Sequence, residues 1–77
     1  MSDQLITLFS EILEIAPEEL NDNTSPQNTH QWDSLTAMHI IAALENEYNV
    51  RFNTQEILKM DSIGNVRNML VEKGANV

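Results

Sequence analysis

The chain has 77 residues, which suffices for one domain with a thin hydrophobic core but rarely for one that also encloses a substrate pocket, so we expect no enzyme activity. Twelve Asp and Glu residues against four Lys and Arg give a formal charge of −8, which argues against nucleic acid as a ligand and favours partners with basic surfaces. Because cysteine is absent, the chain has no disulfide and no thiol nucleophile of its own.

The first residues are not typical of an export signal or a membrane anchor. Asp3 is acidic, no basic residue precedes the apolar positions, and those positions are spaced rather than continuous. We therefore predict no signal peptide and no membrane span. Since the lack of cysteine also fits a reducing compartment, the expectation is a free-standing, monomeric domain over residues 1–77 in the cytoplasm.

The first predicted element is a helix from about Asp3 to Ile15. Ser2 is the expected N-cap, and Asp3 suits the positive end of the helix dipole. Pro17 disfavours helical backbone at Ala16, so we predict that the helix ends there. Its apolar residues recur at helical spacing, namely Leu5, Ile6, Leu8, Phe9, Ile12 and Leu13.

A long polar loop follows, from Pro17 to Trp32. Its many turn-forming residues predict irregular surface structure, with the sequence PEELNDNTSPQNTHQW. A loop of this length is unusual in so small a domain, and such loops often carry function. Leu20 and Trp32 are the apolar residues able to anchor it to the core.

The second helix is predicted from Ser34 to Tyr48, with Asp33 as its N-cap and Asn49 at its C-terminal end. It carries two apolar stripes. The broader stripe predicts the face toward the core and consists of Ala37, Ile40, Ile41, Leu44 and Tyr48. The second stripe indicates an edge left free for another molecule and consists of Leu35, Met38 and Ala42.

Two further helices follow. Asn53 and Glu56 have the spacing of a capping box for a third helix from Thr54 to about Lys59. Asp61 or Ser62 is the expected N-cap of a fourth helix. The apolar residues of that helix recur at helical spacing and are Ile63, Val66, Met69 and Leu70.

The complete pattern predicts an all-α fold. Gly74 is the expected C-terminal stop of the fourth helix, and no segment is typical of a strand. We therefore predict a small four-helix bundle, with three longer helices, a short third helix and a long loop between helices one and two.

The segment Trp32-Asp33-Ser34-Leu35 ends the long loop and opens the second helix. A serine at that place exposes its hydroxyl beside backbone N–H groups and the positive end of the dipole. An anion attached there is stabilised by roughly 0.3–1 kcal/mol. Asp and Ser are also ordinary capping residues, so the segment by itself is more often only the start of a helix.

The wider context resembles the acyl carrier protein family over essentially the whole chain. The resemblance is carried by Asp33-Ser34-Leu35, by the following helix TAMHIIAALENEYNV, and by the segments Ala43-Leu44-Glu45, Glu47-Tyr48 and Phe52 at the family's spacing. It implies that a phosphopantetheinyl transferase attaches phosphopantetheine from coenzyme A to Ser34, with Asp33 as the preceding motif residue. The terminal thiol of that arm then holds acyl intermediates as thioesters.

The resemblance also implies a partner-contacting line, formed by Leu35, Met38, His39 and Ala42. The implied partners are acyl ligases, synthases or acyltransferases with basic and apolar docking faces. Thr36 and His39 stand where fatty-acid carriers usually have acids, no acid lies between residues 34 and 44, and Gln31 replaces a frequent Gly. These departures indicate a specialised carrier rather than one of bulk fatty-acid synthesis.

Other kinds of site are less consistent with the sequence. His30 and His39 lack a supporting ligand at metal-binding spacing, so we predict no metal site. A Ser34–His39 catalytic dyad fails because five residues turn a helix by about 500°, which leaves the side chains roughly 140° apart. Two alternatives stay open: an aminoacyl or peptidyl carrier, and an unmodified acidic adaptor that docks its second stripe in a partner's groove.

Overall fold

The computed structural model describes residues 3–75, which form four α-helices and no strand. The helices are α1 (Gln4–Leu13), α2 (Ser34–Tyr48), α3 (Thr54–Leu58) and α4 (Ile63–Glu72), and a turn of 3-10 helix, Pro17–Glu19, lies in the loop after α1. The predicted all-α bundle with a short third helix is confirmed. Within residues 3–75, no helix is both long enough and apolar enough to cross a membrane.

Helix α1 begins one residue later than its predicted cap would place it. Asp3 is the N-cap, because its carboxylate accepts the backbone N–H groups of Leu5 and Ile6. Ser2, the residue predicted for this role, lies outside the described residues. The prediction of Ser2 was wrong because Asp3 itself has the short acceptor side chain that a capping position favours.

The C-terminal end of α1 also differs from the prediction. The helix ends at Leu13 rather than at about Ile15, because Glu14 adopts the left-handed conformation with φ of 59°. The N–H groups of residues 14 and 15 both donate to the carbonyl of Ser10. These bonds give the carbonyl of Ser10 in the last turn its hydrogen-bond partners. The helix therefore ends before the residue whose backbone Pro17 restricts.

The predicted bounds of α2 are confirmed at both ends. Asp33 Oδ1 accepts the N–H of Thr36 at 2.9 Å. At the other end Asn49 is left-handed, with φ of 56°, and the N–H of Val50 donates to the carbonyl of Glu45 at 3.3 Å. The tolerance of Asn for this backbone conformation ends the helix where the sequence predicted.

The caps of the last two helices follow the same local rules. Asn53 Oδ1 accepts the N–H of Glu56 at 2.8 Å, while Glu56 Oε1 accepts the N–H of Asn53 at 2.9 Å, so the capping box is confirmed. Of the two predicted caps for α4, Ser62 is the one used, since its Oγ accepts the N–H of Asn65 at 3.0 Å. Gly74, with φ of 85°, follows the last turn as predicted.

The core combines α1, α2 and α4 with Phe52 and two residues of the long loop. Leu20 and Trp32 are both buried, which confirms that they anchor the loop. The Trp32 ring packs against Phe9, with ring centroids 5.2 Å apart and the planes tilted by 50°. The fully or nearly buried apolar residues are Leu5, Phe9, Leu13, Leu20, Trp32, Ile40, Leu44, Phe52, Ile63, Val66 and Leu70.

Backbone hydrogen bonds hold the loop against the start of α4. The N–H of Ile63 donates to the carbonyl of Thr24 at 2.9 Å, and the N–H of Gly64 donates to that of Asp22 at 3.0 Å. A Cβ on residue 64 would lie 3.0 Å from the same Asp22 oxygen, so this close approach favours glycine. The loop thereby provides acceptors for two N–H groups that a helix start leaves without partners.

Arg67 adds a side-chain link between three parts of the fold. Its Nη2 lies 2.8 Å from Asp3 Oδ2 and 3.0 Å from Asp22 Oδ1. The guanidinium of α4 therefore joins the cap of α1 to the loop. Because Asp3 donates nothing and accepts from both Arg67 and the first turn of α1, its ionised form is favoured.

Acid is therefore expected to weaken this link. Hydrogen bonding to Arg67 holds the pKa of Asp3 below its ordinary value of 3.8. A carboxyl with a lowered folded-state pKa stabilises the fold fully above its unfolded pKa, and the contribution is lost as pH falls through the folded value. We predict that Asp3→Asn, which keeps a capping side chain, lowers the free energy of unfolding by about 0.2–1 kcal/mol at neutral pH, and that this difference shrinks as the pH falls below 3.8.

Urea unfolding of wild type and Asp3→Asn over a series of pH values measures this difference. Comparing the two proteins cancels the change in overall repulsion among the other carboxyl groups, which both share. A stability difference that stays constant from neutral pH down to about pH 2 would show that the Asp3 charge contributes nothing.

Candidate functional site

Ser34 lies at the junction of the long loop and α2. It is the first residue of the helix, and its side chain is exposed. Among residues 3–75, no group forms a hydrogen bond with its hydroxyl, and the capping oxygen of α2 comes from the adjacent Asp33. The hydroxyl is therefore free to react with a group brought by another protein.

The charge next to Ser34 is fixed by Asp33. The backbone N–H of Thr36 donates to the Asp33 carboxylate and, together with the Thr36 hydroxyl, holds the pKa of that carboxyl below its ordinary value. Asp33 is therefore ionised at neutral pH, and a negative charge stands at the positive end of α2. An anion attached to Ser34 would therefore lie beside the Asp33 carboxylate, and both negative charges would face the positive end of the α2 dipole.

An open groove of about 270 Å³ lies directly beside Ser34. It is lined by Pro26, Trp32, Asp33, Ser34, Ala37 and Met60. Three of these six residues belong to the segment that the sequence singled out, whereas Ala37 was predicted only as part of the core face. Pro26 and Met60 were missed, because nothing local in the sequence places the link after α3 next to the start of α2.

The second apolar stripe of α2 faces solvent. Leu35 and Met38 are 67% and 68% exposed, and Ala42 and His39 are exposed as well. On the opposite side of the helix, the predicted core face is confirmed: Ile40 and Leu44 are buried, and Ala37, Ile41 and Tyr48 are packed against the core. The exposed stripe begins at Leu35, the residue next to Ser34, so the two adjoin each other on the surface.

The two histidines are both exposed, His30 in the loop and His39 on α2. In the part of the chain that the structure describes, no three His, Cys, Asp or Glu side chains lie close enough to hold a metal ion. Ser34 and His39 are not hydrogen-bonded to each other, and both lie on α2 five positions apart. The structure therefore brings together Asp33, Ser34 and the exposed stripe.

Comparison with known families decides what kind of site this is. The family model for the phosphopantetheine attachment site matches residues 3–70, which covers all four helices almost to the end of α4. The chain belongs to the phosphopantetheine attachment site family. No individual curated protein matched the sequence.

Membership of this family makes the chain a phosphopantetheine-bearing carrier protein, and it is consistent with the resemblance to acyl carrier proteins. The prosthetic group of such a carrier is attached covalently, and carrier domains of this family are themselves non-catalytic. The residues at the start of α2 fit the group, since an exposed, unbonded hydroxyl stands beside an open groove. When bound, the group supplies the thiol that the cysteine-free chain lacks.

Proposed function

We propose that Ser34 is the attachment residue and that the carrier holds acyl intermediates as thioesters for partner enzymes. The observation that supports Ser34 is its exposed hydroxyl at the start of α2, with no hydrogen-bond partner among residues 3–75. In the attachment step, Ser34 Oγ would give its proton to a base of the transferase and bond to the pantetheine phosphorus of coenzyme A, while the bond from that phosphorus to the bridging oxygen breaks and adenosine 3′,5′-bisphosphate leaves. The chain itself performs no catalysis.

The roles of the neighbouring residues follow from their geometry. Asp33 keeps the helix start ordered through its hydrogen bond to the N–H of Thr36, so that Ser34 is presented at a fixed place. The flexible arm then brings the cargo to each partner active site at a high effective concentration. A phosphopantetheinyl transferase loads the carrier, and acyl ligases, synthases or acyltransferases use it.

The mass of the intact protein tests this proposal. Protein incubated with coenzyme A and a broad-specificity phosphopantetheinyl transferase should gain one phosphopantetheine, and fragmentation should place it on the peptide that contains Ser34. Protein isolated from its own cells should carry the same group. An unmodified mass in both samples would favour the alternative of an unmodified acidic adaptor.

The same spectrum distinguishes the two classes of carrier. A retained acyl load supports an acyl carrier, whereas a retained amino acid supports the alternative of an aminoacyl or peptidyl carrier. The strongly acidic composition favours acyl cargo only slightly. A monomeric state and a location in the cytoplasm stay predictions from the sequence.

We further propose that partners dock on the exposed stripe, with Leu35, Met38, His39 and Ala42 as contacts. Two large apolar side chains on this stripe, Leu35 and Met38, are about two-thirds exposed and lie within the first turns of the helix that Ser34 begins, and adjacent exposed apolar side chains often mark a docking surface. Partner faces would combine an apolar pocket for these side chains with basic groups that match the net charge of −8.

Replacing Met38 by Ala is expected to slow loading more than neutralising an acid on the same helix. Truncating an apolar side chain at an interface centre costs about 2 kcal/mol, which is roughly 30-fold in kcat/KM. Glu47→Gln is the matched control, because Glu47 is an exposed acid on the same helix. Its Oε2 accepts a hydrogen bond from Gln4 of α1 at 2.6 Å, and the amide oxygen of Gln can still accept that bond. We expect the control to remain within about twofold of wild type. Equal rates for the two variants would contradict the docking assignment.

A further inference from the structure

Three separate parts of the chain form the groove beside Ser34. Pro26 and Trp32 come from the long loop, Ala37 lies one turn into α2, and Met60 lies in the link between α3 and α4. Its polar residues, Asp33 and Ser34, adjoin each other at the start of α2, and its other four residues are apolar. An apolar surface therefore begins where the attached arm would begin.

The size of the groove limits what it can hold. Pockets that enclose a whole small ligand usually span about 300–1,000 Å³, whereas this groove has about 270 Å³ and is open to solvent. One of its lining residues, Trp32, is only 5% exposed and packs against Phe9 in the core. The groove can therefore receive part of a phosphopantetheine arm, but not the arm together with a long cargo.

Charge decides which part of the arm fits. Asp33 lines the groove and is ionised at neutral pH, because it accepts the N–H of Thr36. A phosphodiester on the adjacent Ser34 is repelled by this carboxylate and is better placed in solvent. The segment beyond the phosphate is uncharged, and its carbon with two methyl groups is its most apolar part, so it suits an apolar wall.

We propose that the groove receives the segment of the arm nearest the phosphate, with its paired methyl groups against Trp32 and Met60, while the thiol end and the cargo stay in solvent. This inference rests on the proposed attachment at Ser34. Met60 and Trp32 would then hold the arm while the carrier is not bound to a partner enzyme. The arm would leave the groove when a partner takes up the cargo.

The test uses the loaded full-length carrier and nuclear magnetic resonance. Its mass is measured first, so that failure of loading is seen as failure of the proposed attachment. Nuclear Overhauser effects are then recorded from the paired methyl groups of the arm to the Met60 methyl and to the indole protons of Trp32, the single tryptophan. We expect effects to both Met60 and Trp32. We expect none to the methyl of Met38, which is exposed on α2, the helix that begins at Ser34.

Two matched variants sharpen the result. Met60→Gln keeps the length of the side chain but makes it polar, and we expect it to reduce the effects between the arm and Trp32 at least twofold. Met38→Gln makes the same change outside the groove and is expected to leave them unchanged. A loaded wild-type carrier with no effects to Met60 or Trp32, or with effects to Met38 instead, would overturn the inference even if Met60→Gln did not fold.

Discussion

Ser34→Ala is expected to abolish loading with phosphopantetheine while leaving the fold intact. The substitution removes the hydroxyl that we propose as the attachment point, so the mass of the variant should not change after incubation with the transferase. Stability should stay within about 0.5 kcal/mol of wild type, because Ser34 is exposed and Asp33 supplies the cap of α2.

Ser62→Ala is the matched control, since it changes a serine at the start of a different helix. Ser62 is the N-cap of α4 and accepts the N–H of Asn65. This variant should load normally but lose about 1 kcal/mol of stability. The two variants therefore separate attachment from capping. Loading of Ser34→Ala by the transferase would show that the attachment residue lies elsewhere in the chain.

Among the substitutions proposed for this protein, Trp32→Ala should lower the free energy of unfolding the most. The side chain is buried against Phe9 and anchors the end of the long loop immediately before the site. Truncating a buried Trp costs about 3–5 kcal/mol. A domain of this size has a total stability of only about 4–12 kcal/mol, so a large part of the population could unfold.

Urea unfolding followed by circular dichroism measures this loss. Trp32→Phe keeps an aromatic ring against Phe9 and should recover much of the stability. Leu58→Ala is the surface control, because Leu58 is 80% exposed, and its effect should stay below about 0.5 kcal/mol. A Trp32→Ala protein as stable as wild type would mean that Leu20 and the bonds between the loop and α4 anchor the loop without Trp32.

The four helices and most of their ends could be predicted from the sequence, because the rules that govern them are local. Asp33, Asn49 and the Asn53–Glu56 pair act on backbone groups no more than four positions away. The exceptions were the two ends of α1, where Asp3 rather than Ser2 is the N-cap and the helix stops before the predicted residue. The prediction relied on Pro17, while the left-handed conformation of Glu14 ended the helix earlier, and Glu carries no strong signal for that conformation.

The candidate site divides in the same way. The sequence alone determined that Ser34 opens a helix behind Asp33 and that Leu35 and Met38 lie off the core face, since both follow from helical periodicity. The tertiary structure alone decided that Met60 joins the groove beside Ser34 and that Arg67 reaches Asp3, 64 positions away. Such contacts depend on how the helices pack together, and no spacing within one helix encodes them.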